Sequence, residues 1–451
     1  GVGGYQFDGA SGSENVFIVD GVDVSNIRNA SLGTSDAIPF EFLQEVQVKS
    51  GGFEAEFGGA LGGVVNVVSK SGTDKYHGEA LYQFSGSSLN TGPRGTCRRD
   101  PFDATKAEFF AADEDDYTQQ FTGLTLGGPL LRDKLRFFAG YVPEVYNTDR
   151  SITHVTASGA STVRHSSSKV LRHRGNGRLD YVPFQNLQLN ASYFWNPVKT
   201  TGLLSGNEPK VATVTSHLTV QGGYTQSNAT NIGANFMPSS RVLISARYGY
   251  KYLNDKGNTY GKDQLPYLVY NTASTNGGVV VPPQYAGAAG YTNVASTFTV
   301  QHDELTRHNV YLDGTFFGNL AGQNHTLKVG YALNRIANDV LSNYTQGRFN
   351  INWGEGFTRG SIVNRRGAYG YYTWQDGVRL NSAVNSRNQG FYVQDAWQLS
   401  SRVTINAGVR FEDEFLPPFR SEQEGVKIAN PISFGWGDKI APRVGGGWDV
   451  R

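Results

Sequence analysis

Long stretches of this sequence alternate between apolar and polar residues with a period of two. In the segment 403–411, the residues Val, Ile, Ala, Val and Phe alternate with Thr, Asn, Gly and Arg. Successive side chains of a β-strand point to opposite faces of the sheet, so this period predicts strands with one apolar face. Charged residues avoid the aromatic face in these segments. The same alternation occurs in four further segments, which are 76–86, 187–195, 242–252 and 327–333.

The connections between the predicted strands distinguish a soluble sandwich from a membrane barrel. Short polar turns are predicted at 131–134, 182–186, 238–241, 318–324 and 400–402. Long stretches rich in Gly, Asn and Ser separate the resulting hairpins, at 90–114, 151–172, 197–227, 254–300, 336–387 and 413–437. Structureless loops of this length are uncommon in compact soluble domains. Short turns on one rim and long loops on the other are typical of a transmembrane antiparallel β-barrel with long extracellular loops.

Charge and hydropathy exclude several other classes of protein. The chain has 40 Lys and Arg against 39 Asp and Glu, a net charge of +1, which is not the basic footprint of a nucleic-acid-binding protein. No run of about 18 apolar residues occurs, so the chain is not a helical membrane protein. The single cysteine, Cys97, excludes a disulfide scaffold and a Cys-based metal site within this stretch. It either pairs with a cysteine outside this chain or stays free.

Residues 1–74 have a different character from the rest of the chain. They contain Gly-rich runs and three short apolar bursts, at 16–19, 46–48 and 64–68. This composition predicts a small mixed α/β domain with tight turns, which ends near the turn-forming run 71–74. The first residue is Gly1 and the only methionine is Met237, so we expect a processed or partial chain.

Several motifs resemble those of a known family. The stretch VFIVDGVDV at 16–24 and the stretch at 41–79, which contains GGFEAEFGGALGGVVNVVSKSGT, resemble the second half of the plug domain of a TonB-dependent outer-membrane transporter. The segments 125–141, 390–412 and 439–449 resemble recurring barrel hairpins of the Oar-like branch of that family. The loops between these motifs resemble no family that we can name.

The resemblance implies a domain organisation and a location. Residues 1–74 would form the C-terminal part of a plug inside the barrel lumen, and residues 75–451 would form the N-terminal part of the barrel. The family barrel has 22 strands, of which about a dozen are predicted here. A partial barrel would expose two unpaired edges to lipid, where each unsatisfied backbone group costs several kcal/mol, so this piece is not expected to be the whole folding unit.

The resemblance also implies partners. The protein would lie in the bacterial outer membrane, in contact with its lipid. An inner-membrane energising complex would act through a TonB-type protein on a contact box upstream of residue 1. Other surface proteins could bind the long loops, and no nucleic-acid partner is expected.

The plug motif supplies the predicted structural or gating residues, which are Asp20, Gly21, Asp23, Glu45, Gly51, Gly52, Glu56, Gly58, Gly62, Gly63, Asn66 and Gly72. Two interpretations stay open for the acidic residues of this part of the chain, which are Asp20, Asp23, Glu45, Glu54 and Glu56. They could face cationic residues of the barrel wall, such as Arg247, Lys328 or Arg410, or they could be turn and cap residues of the plug itself. The run GGALGG lacks the G-x-G-x-x-G spacing of a dinucleotide site, and we interpret it as a source of backbone freedom.

Catalytic and metal-binding constellations are weak. Residues 166–169 match S-x-x-K, but the motifs that accompany it in penicillin-binding enzymes are missing. The eight histidines lack the spacing of metal ligands, and the acidic run 113–116 lacks the alternating ligands of a calcium loop. The sequence therefore predicts neither an enzyme, nor a metal site, nor a cofactor.

Two functions remain open. The first is a gated transporter whose plug rearranges to let a ligand cross the outer membrane. The second is a non-transporting scaffold or adhesin whose long surface loops bind other proteins. A soluble β-rich enzyme is a weaker third possibility. Nothing in the loops identifies the ligand-binding residues or selects among a siderophore, cobalamin, a glycan and a peptide.

Overall fold

The computed structural model describes most of the chain. The described residues are 9, 14–25, 38–51, 53–59, 62–103, 105–156, 159–211, 221–260, 265–294, 298–320, 322–375, 378–420, 422–423, 426–427 and 429–450.

The N-terminal part forms a four-stranded sheet, here called the N-terminal sheet. Its strands are β1 (Val16–Val19), β2 (Val22–Asp23), β3 (Leu43–Lys49) and β4 (Val64–Ser69). They lie in the order β2-β1-β4-β3, with β1 and β4 parallel. A 3-10 helix at Phe40–Phe42 precedes β3. Each of the three apolar bursts of the sequence is therefore a strand.

The rest of the chain is almost entirely β. Its strands are β5 (His77–Gly86), β6 (Thr96–Arg99), β7 (Ala107–Phe110), β8 (Asp116–Leu131), β9 (Leu135–Tyr141), β10 (Glu144–Val155), β11 (Ser161–Arg172), β12 (Gly175–Phe184), β13 (Leu187–Trp195), β14 (Val198–Thr201), β15 (Gly222–Ser239), β16 (Val242–Tyr260), β17 (Tyr267–Tyr270), β18 (Phe298–Leu320), β19 (Gln323–Tyr344), β20 (Arg348–Trp353), β21 (Phe357–Arg359), β22 (Ile362–Arg365), β23 (Gly370–Gln375), β24 (Val378–Ser400), β25 (Val403–Leu416), β26 (Glu422–Gln423), β27 (Val426–Lys427) and β28 (Ile432–Trp448). Short 3-10 helices lie at Ser87–Leu89, Asn276–Gly278 and Pro283–Tyr285.

Fifteen of these strands form one antiparallel sheet, here called the large sheet. Three pairs, β9 with β10, β11 with β12 and β13 with β14, are each a single span interrupted by two residues. The large sheet therefore has twelve spans, which confirms the prediction of about a dozen. Among the described residues, β5 pairs only with β8 and β28 only with β25, so these two strands are its edges.

All five predicted turns join neighbouring strands, for example β15 with β16 and β24 with β25. One predicted loop is wrong. Residues 151–172 are not a long loop, because β10 and β11 stay paired from Glu144↔Arg172 to Val155↔Ser161. Polar residues continue the ladder there, since backbone hydrogen bonds do not require an apolar face. Strands β16, β19 and β24 likewise extend several residues into segments predicted as loops.

The predicted faces of the strands are confirmed. In β16, Ile244 and Tyr248 of the apolar face are 48% and 36% exposed. Lys251 of the opposite face is buried, and its Nζ donates to the Val24 carbonyl oxygen of the N-terminal sheet at 3.0 Å. The polar face of the large sheet therefore points inward at the N-terminal sheet.

Two small apolar clusters join the sheets. Phe17, Val19 and Val24 of the N-terminal part pack with Phe194 of β13, and Phe42 packs edge-on against Phe138 of β9, with ring centroids 6.4 Å apart. Within the described ranges, no helix is long and apolar enough to cross a membrane.

Candidate functional site

The candidate site is the interface between the N-terminal sheet and the large sheet, because it contains half of the twelve residues predicted from the plug motif. It begins at the turn between β1 and β2. Asp20 and Gly21 both have positive φ, 48° and 81°, as a two-residue hairpin of the Asp-Gly type requires. A side chain at Gly21 would also meet Arg247, whose Cδ lies 3.0 Å from the position of an added Cβ.

The carboxylate of Asp20 is enclosed by hydrogen-bond donors from both sheets. It accepts from the Ser69 backbone N–H at 2.9 Å and the Ser69 hydroxyl at 2.8 Å. The Ser192 hydroxyl of β13 donates at 2.7 Å, and the Arg178 guanidinium of β12 donates at 3.3 Å. The Asp20 side chain is 1% exposed. Asp20 is thus both a turn residue and a partner of the large sheet, whose strands are here called the wall. The two interpretations of this residue are therefore compatible.

Asp23 forms a second contact to the wall. Its carboxylate pairs with Arg307 of β18 at 3.0 Å, and it also accepts from the Ser25 backbone N–H. The Asp23 carbonyl oxygen accepts from the amide of Asn309 at 3.0 Å and from Arg307 at 3.2 Å. Arg307 and Asn309 are almost fully buried, so these donors would lose their partners if the N-terminal sheet moved away.

Glu56 forms a third contact. Its carboxylate pairs with Lys328 of β19, and its backbone N–H donates to the Gln394 side chain of β24 at 3.0 Å. The pairing of an acidic residue of the N-terminal part with Lys328 is one of the arrangements considered from the sequence.

Arg410 of β25 forms a fourth contact. It was considered from the sequence as a partner of acidic side chains, but its partners in the N-terminal part are backbone carbonyl groups. Its guanidinium donates to the carbonyl oxygens of Ala55 and Glu56, both at 3.3 Å, and to the carboxylate of Glu412 at 2.8 Å. Gly58 lies directly against it, since an added Cβ there would be 2.5 Å from the Arg410 Nη2. The Arg410 side chain is 4% exposed.

Two of the predicted residues that the structure describes are exposed and make no such contact. Glu45 is exposed on β3 and accepts from Gln47 of its own strand. Gly51 is exposed, with no atom within 4 Å of an added Cβ, and Gly52 lies outside the described residues. Glu54, also considered from the sequence, pairs at 3.0 Å with Lys49 of its own domain.

The remaining predicted residues shape the N-terminal sheet and its exit. The Gly63 carbonyl oxygen accepts from the Val16 N–H, and the Gly62 N–H donates to the Glu14 carbonyl oxygen. Asn66 pairs in register with neighbours on β1 and β3. Gly72 approaches the backbone of β9 so closely that an added Cβ would lie 2.2 Å from the Phe137 carbonyl oxygen.

A cavity of about 540 Å³ lies beside these contacts, between the two sheets. Its walls include Asp23, Arg247, Arg307 and Arg410. Behind it, Asp313 of β18 accepts from Arg247 and from the Tyr392 hydroxyl. Arg247 therefore pairs with a residue of the wall, and not with an acid of the N-terminal sheet as considered from the sequence.

Sequence reasoning missed many of the wall residues that hold the N-terminal sheet. They are Arg178, Ser192, Asn231, Lys251, Arg307, Asn309, Gln394 and Arg443. All lie on strands of the large sheet, and the period-two pattern could have placed them on the inward face. Their partners depend on how the two sheets dock, for which the sequence gives no local signal.

The motifs examined for catalysis have ordinary partners. The Ser166 hydroxyl is buried against the Ser205 hydroxyl at 3.0 Å, and Asp115 pairs with Arg150 at 2.6 Å. Cys97 is exposed, with a free thiol. In the part of the chain that the structure describes, no group of three His, Cys, Asp or Glu side chains is placed to hold a metal ion.

Comparison with known proteins shows which family the chain matches. Residues 146–434 match the family described as an outer membrane beta barrel domain. The chain is 25% identical to the TonB-dependent transporter Oar of Myxococcus xanthus, over 98% of this chain and 45% of that protein. It is 29% identical to the ferrienterobactin receptor of Escherichia coli strain K12, over 40% of this chain and 24% of that protein.

A solved structure shares the fold. The outer membrane transporter YddB of Escherichia coli superposes with a TM-score of 0.60 at 13% identity, over 99% of this chain and 52% of that one. The chain thus spans less than half the length of the curated relatives it matches and about half of this structure.

Proposed function

The chain belongs to the outer membrane beta barrel family, and from this premise we propose that it is a TonB-dependent transporter, which moves a ligand across the outer membrane by rearrangement of its N-terminal sheet. Its location is the bacterial outer membrane. In this proposal residues 1–74 belong to a plug that fills the lumen, and residues 75–451 form part of the enclosing barrel.

The observation that carries the proposal is the chemistry of the interface between the two sheets. Inward side chains of β12, β13, β16, β18, β19, β24, β25 and β28 make polar contacts with the N-terminal part. The apolar clusters across the interface contain only a few side chains each. A domain meant to stay fixed would instead be expected to bury a continuous apolar core against its neighbour.

Polar contacts of this kind can be exchanged for water one at a time. A neutral hydrogen bond contributes about 0.5–1.5 kcal/mol net, because the separated groups bind water instead. A pull on the chain upstream of residue 1, applied through a TonB-type protein, would release Asp20, Asp23 and Glu56 from their partners in turn. The buried wall cation Arg307, which pairs with Asp23, would then favour the return of the N-terminal sheet, since an unpaired buried charge is costly.

Cysteine labelling in cells tests the proposal. Val22 is 3% exposed and packs against Gly249 of β16. In a full-length Cys97→Ser background, we expect a Val22→Cys thiol to resist maleimide in cells whose proton gradient is collapsed and to react in energised cells. The matched control is the full-length protein with Val22 unchanged and the exposed native Cys97 present, in which Cys97 should react in both conditions. A Val22→Cys thiol that reacts at rest, or that stays protected in energised cells, would contradict the proposal.

A second candidate function is a surface scaffold that binds other proteins through its loops. This function is favoured by one observation. Two long connections between strands form a folded unit with exposed aromatic side chains.

A further inference from the structure

Two long connections fold together into a small unit, here called the cap. The segment 265–294 contributes β17, and the segment 345–375 contributes β20 and β23, which form a three-stranded sheet in the order β17-β20-β23. The ring of Tyr270 is 4% exposed and packs against Tyr291 and Trp353, with ring centroids 4.8 and 5.3 Å apart. The cap therefore has a core of its own.

Two amide side chains of β20 are buried, whereas two aromatic side chains of β23 are exposed. Asn350 and Asn352 of β20 are 9% and 5% exposed, and their amides bond Thr373 and Asn271. On the opposite face of β23, Tyr372 and Trp374 are 66% and 59% exposed. This is the reverse of the usual distribution, in which aromatic residues are buried and amides face water. A contiguous exposed apolar patch of this kind marks an interaction surface.

A groove of about 390 Å³ lies on the aromatic face. Phe349, Ile351 and Trp353 form its floor, and residues 367–372 form its wall. The indole Nε1 of Trp353 is buried, with no hydrogen-bond acceptor among the described residues. A ligand that fills this groove must be mainly apolar and can offer one acceptor to that donor.

The strand beside the groove has a free edge. Among the described residues, β23 pairs with β20 alone, so the backbone groups of its other edge can bond an added strand. An extended peptide that adds to a sheet edge gains affinity from main-chain hydrogen bonds and specificity from pockets for alternate side chains. Tyr372 and Trp374 alternate along this edge on the face that carries the groove.

The charge around the groove indicates which peptide fits. Between residues 348 and 375 there are four arginines and one acidic residue, Glu355. Arg359, Arg365 and Arg366 are exposed, and within the described ranges none of them has a carboxylate partner. Arg366 donates to the Gly354 carbonyl oxygen at 3.0 Å. Exposed arginines without carboxylate partners beside aromatic side chains are typical of a surface that binds an acidic partner.

We propose that the cap binds an extended acidic peptide, which adds as a strand to the free edge of β23, places an apolar side chain in the groove and sets its carboxylates against Arg359, Arg365 and Arg366. This site goes beyond the transport function, because it needs no movement of the N-terminal sheet. Its partner is a protein with an exposed acidic and apolar segment.

Fluorescence anisotropy with the full-length protein in detergent tests this proposal. The probe is a labelled hexapeptide in which Asp alternates with Leu and Phe. One comparison peptide has Lys in place of each Asp, and another has Pro at two central positions, which removes backbone N–H donors. We expect saturable binding of the acidic probe and at least about tenfold weaker binding of both comparison peptides.

Variants distinguish specific binding at this site from nonspecific binding of peptide to the protein. Trp374→Ala and Tyr372→Ala remove exposed side chains, so the cap should still fold, and each should weaken the acidic probe at least about tenfold. Arg365→Glu should shift the preference toward the Lys peptide. Tyr285→Ala is the matched control, because Tyr285 is an equally exposed aromatic of the cap outside the groove, and it should leave binding unchanged.

Several results would overturn the proposal. They are equal binding of the acidic and Lys peptides, no saturable binding of any peptide, wild-type affinity in Trp374→Ala, or selective binding of maltohexaose in place of peptide. Protection of Trp374 from acrylamide quenching in the unliganded full-length protein would show that another part of the same protein covers the groove, which also contradicts the proposal.

Discussion

Replacing Asp20 tests whether the polar contacts really hold the N-terminal sheet in place. In Asp20→Ala the Ser69 N–H loses its acceptor in a buried site, at a cost of about 1–3 kcal/mol. Two hydroxyl bonds are lost as well. Arg178 keeps Asp180, at 2.9 Å, so the cost stays below the roughly 3–5 kcal/mol of an orphaned buried ion. We therefore expect a loss of about 3 kcal/mol.

Native-state hydrogen exchange measures this loss directly. At 1.4 kcal/mol per factor of ten, a loss of about 3 kcal/mol accelerates the opening-limited exchange of the β1 and β4 amides roughly 100-fold. Asp20→Asn keeps one oxygen acceptor and tolerates positive φ, so its effect should be smaller than that of the alanine variant. Glu45→Ala is the matched control, since Glu45 is an exposed acid of the same sheet whose carboxylate accepts from Gln47 of its own strand, and its effect should stay within about 0.5 kcal/mol.

The reasoning would be refuted if Asp20→Ala accelerated exchange less than about threefold, or no more than Glu45→Ala did. Either outcome would mean that apolar packing, and not the shell of donors around Asp20, fixes the N-terminal sheet.

The remaining predictions concern the wall, the exit from the N-terminal sheet and one loop. Ile405→Arg places a charge on the lipid face and should cost roughly 2–4 kcal/mol near the midplane, whereas Asn406→Arg faces inward and should be milder; equal yields of heat-modifiable, folded protein would show that the register is wrong. Gly72→Val should abolish folding, because its Cβ would collide with the β9 backbone; gel mobility of unheated samples checks this. Arg98 lowers the pKa of Glu208 through a hydrogen bond. This link between two loops should therefore be intact above about pH 5 and be lost as the pH falls through the lowered pKa. A pattern of limited proteolysis that does not change between pH 7 and pH 3 would contradict this.

The strands and the short turns could be predicted because their signals are local. Alternation in 403–411 and the polar turn at 400–402 both lie within one hairpin, and β24, β25 and their turn appear where predicted. The extension of β10 and β11 through 151–172 could not be predicted in the same way. Polar strands have no apolar face to reveal their period, and their ladders are stabilised by backbone hydrogen bonds that any sequence can make.

The candidate site was predictable only in outline. Asp20, Asp23 and Glu56 were identified from the plug motif, and all three contact the wall. Glu45 and Glu54 carry the same charge in the same domain, but their carboxylates bond Gln47 and Lys49 of the N-terminal part instead of a cation of the wall. Which acid meets which cation is decided by the docking of two sheets, and that is a non-local property.

The cap could not be anticipated at all. Residues 348–353 and 370–375 alternate between apolar and polar side chains, as exposed strands of many proteins do. Alternation does not say which face is buried, and in the cap the amide face is inside. That inversion depends on contacts between two connections some 80 residues apart in the chain, such as the 3.1 Å bond from Asn271 to Asn352.

Planar-bilayer conductance tests the central claim, that the N-terminal sheet fills and closes the lumen. The intact full-length protein should show almost no steady conductance, and the same protein without its entire plug, of which residues 1–72 are a part, should show a large one. A high conductance of the intact protein that the deletion leaves unchanged would contradict the account, because the N-terminal sheet would then lie outside the barrel.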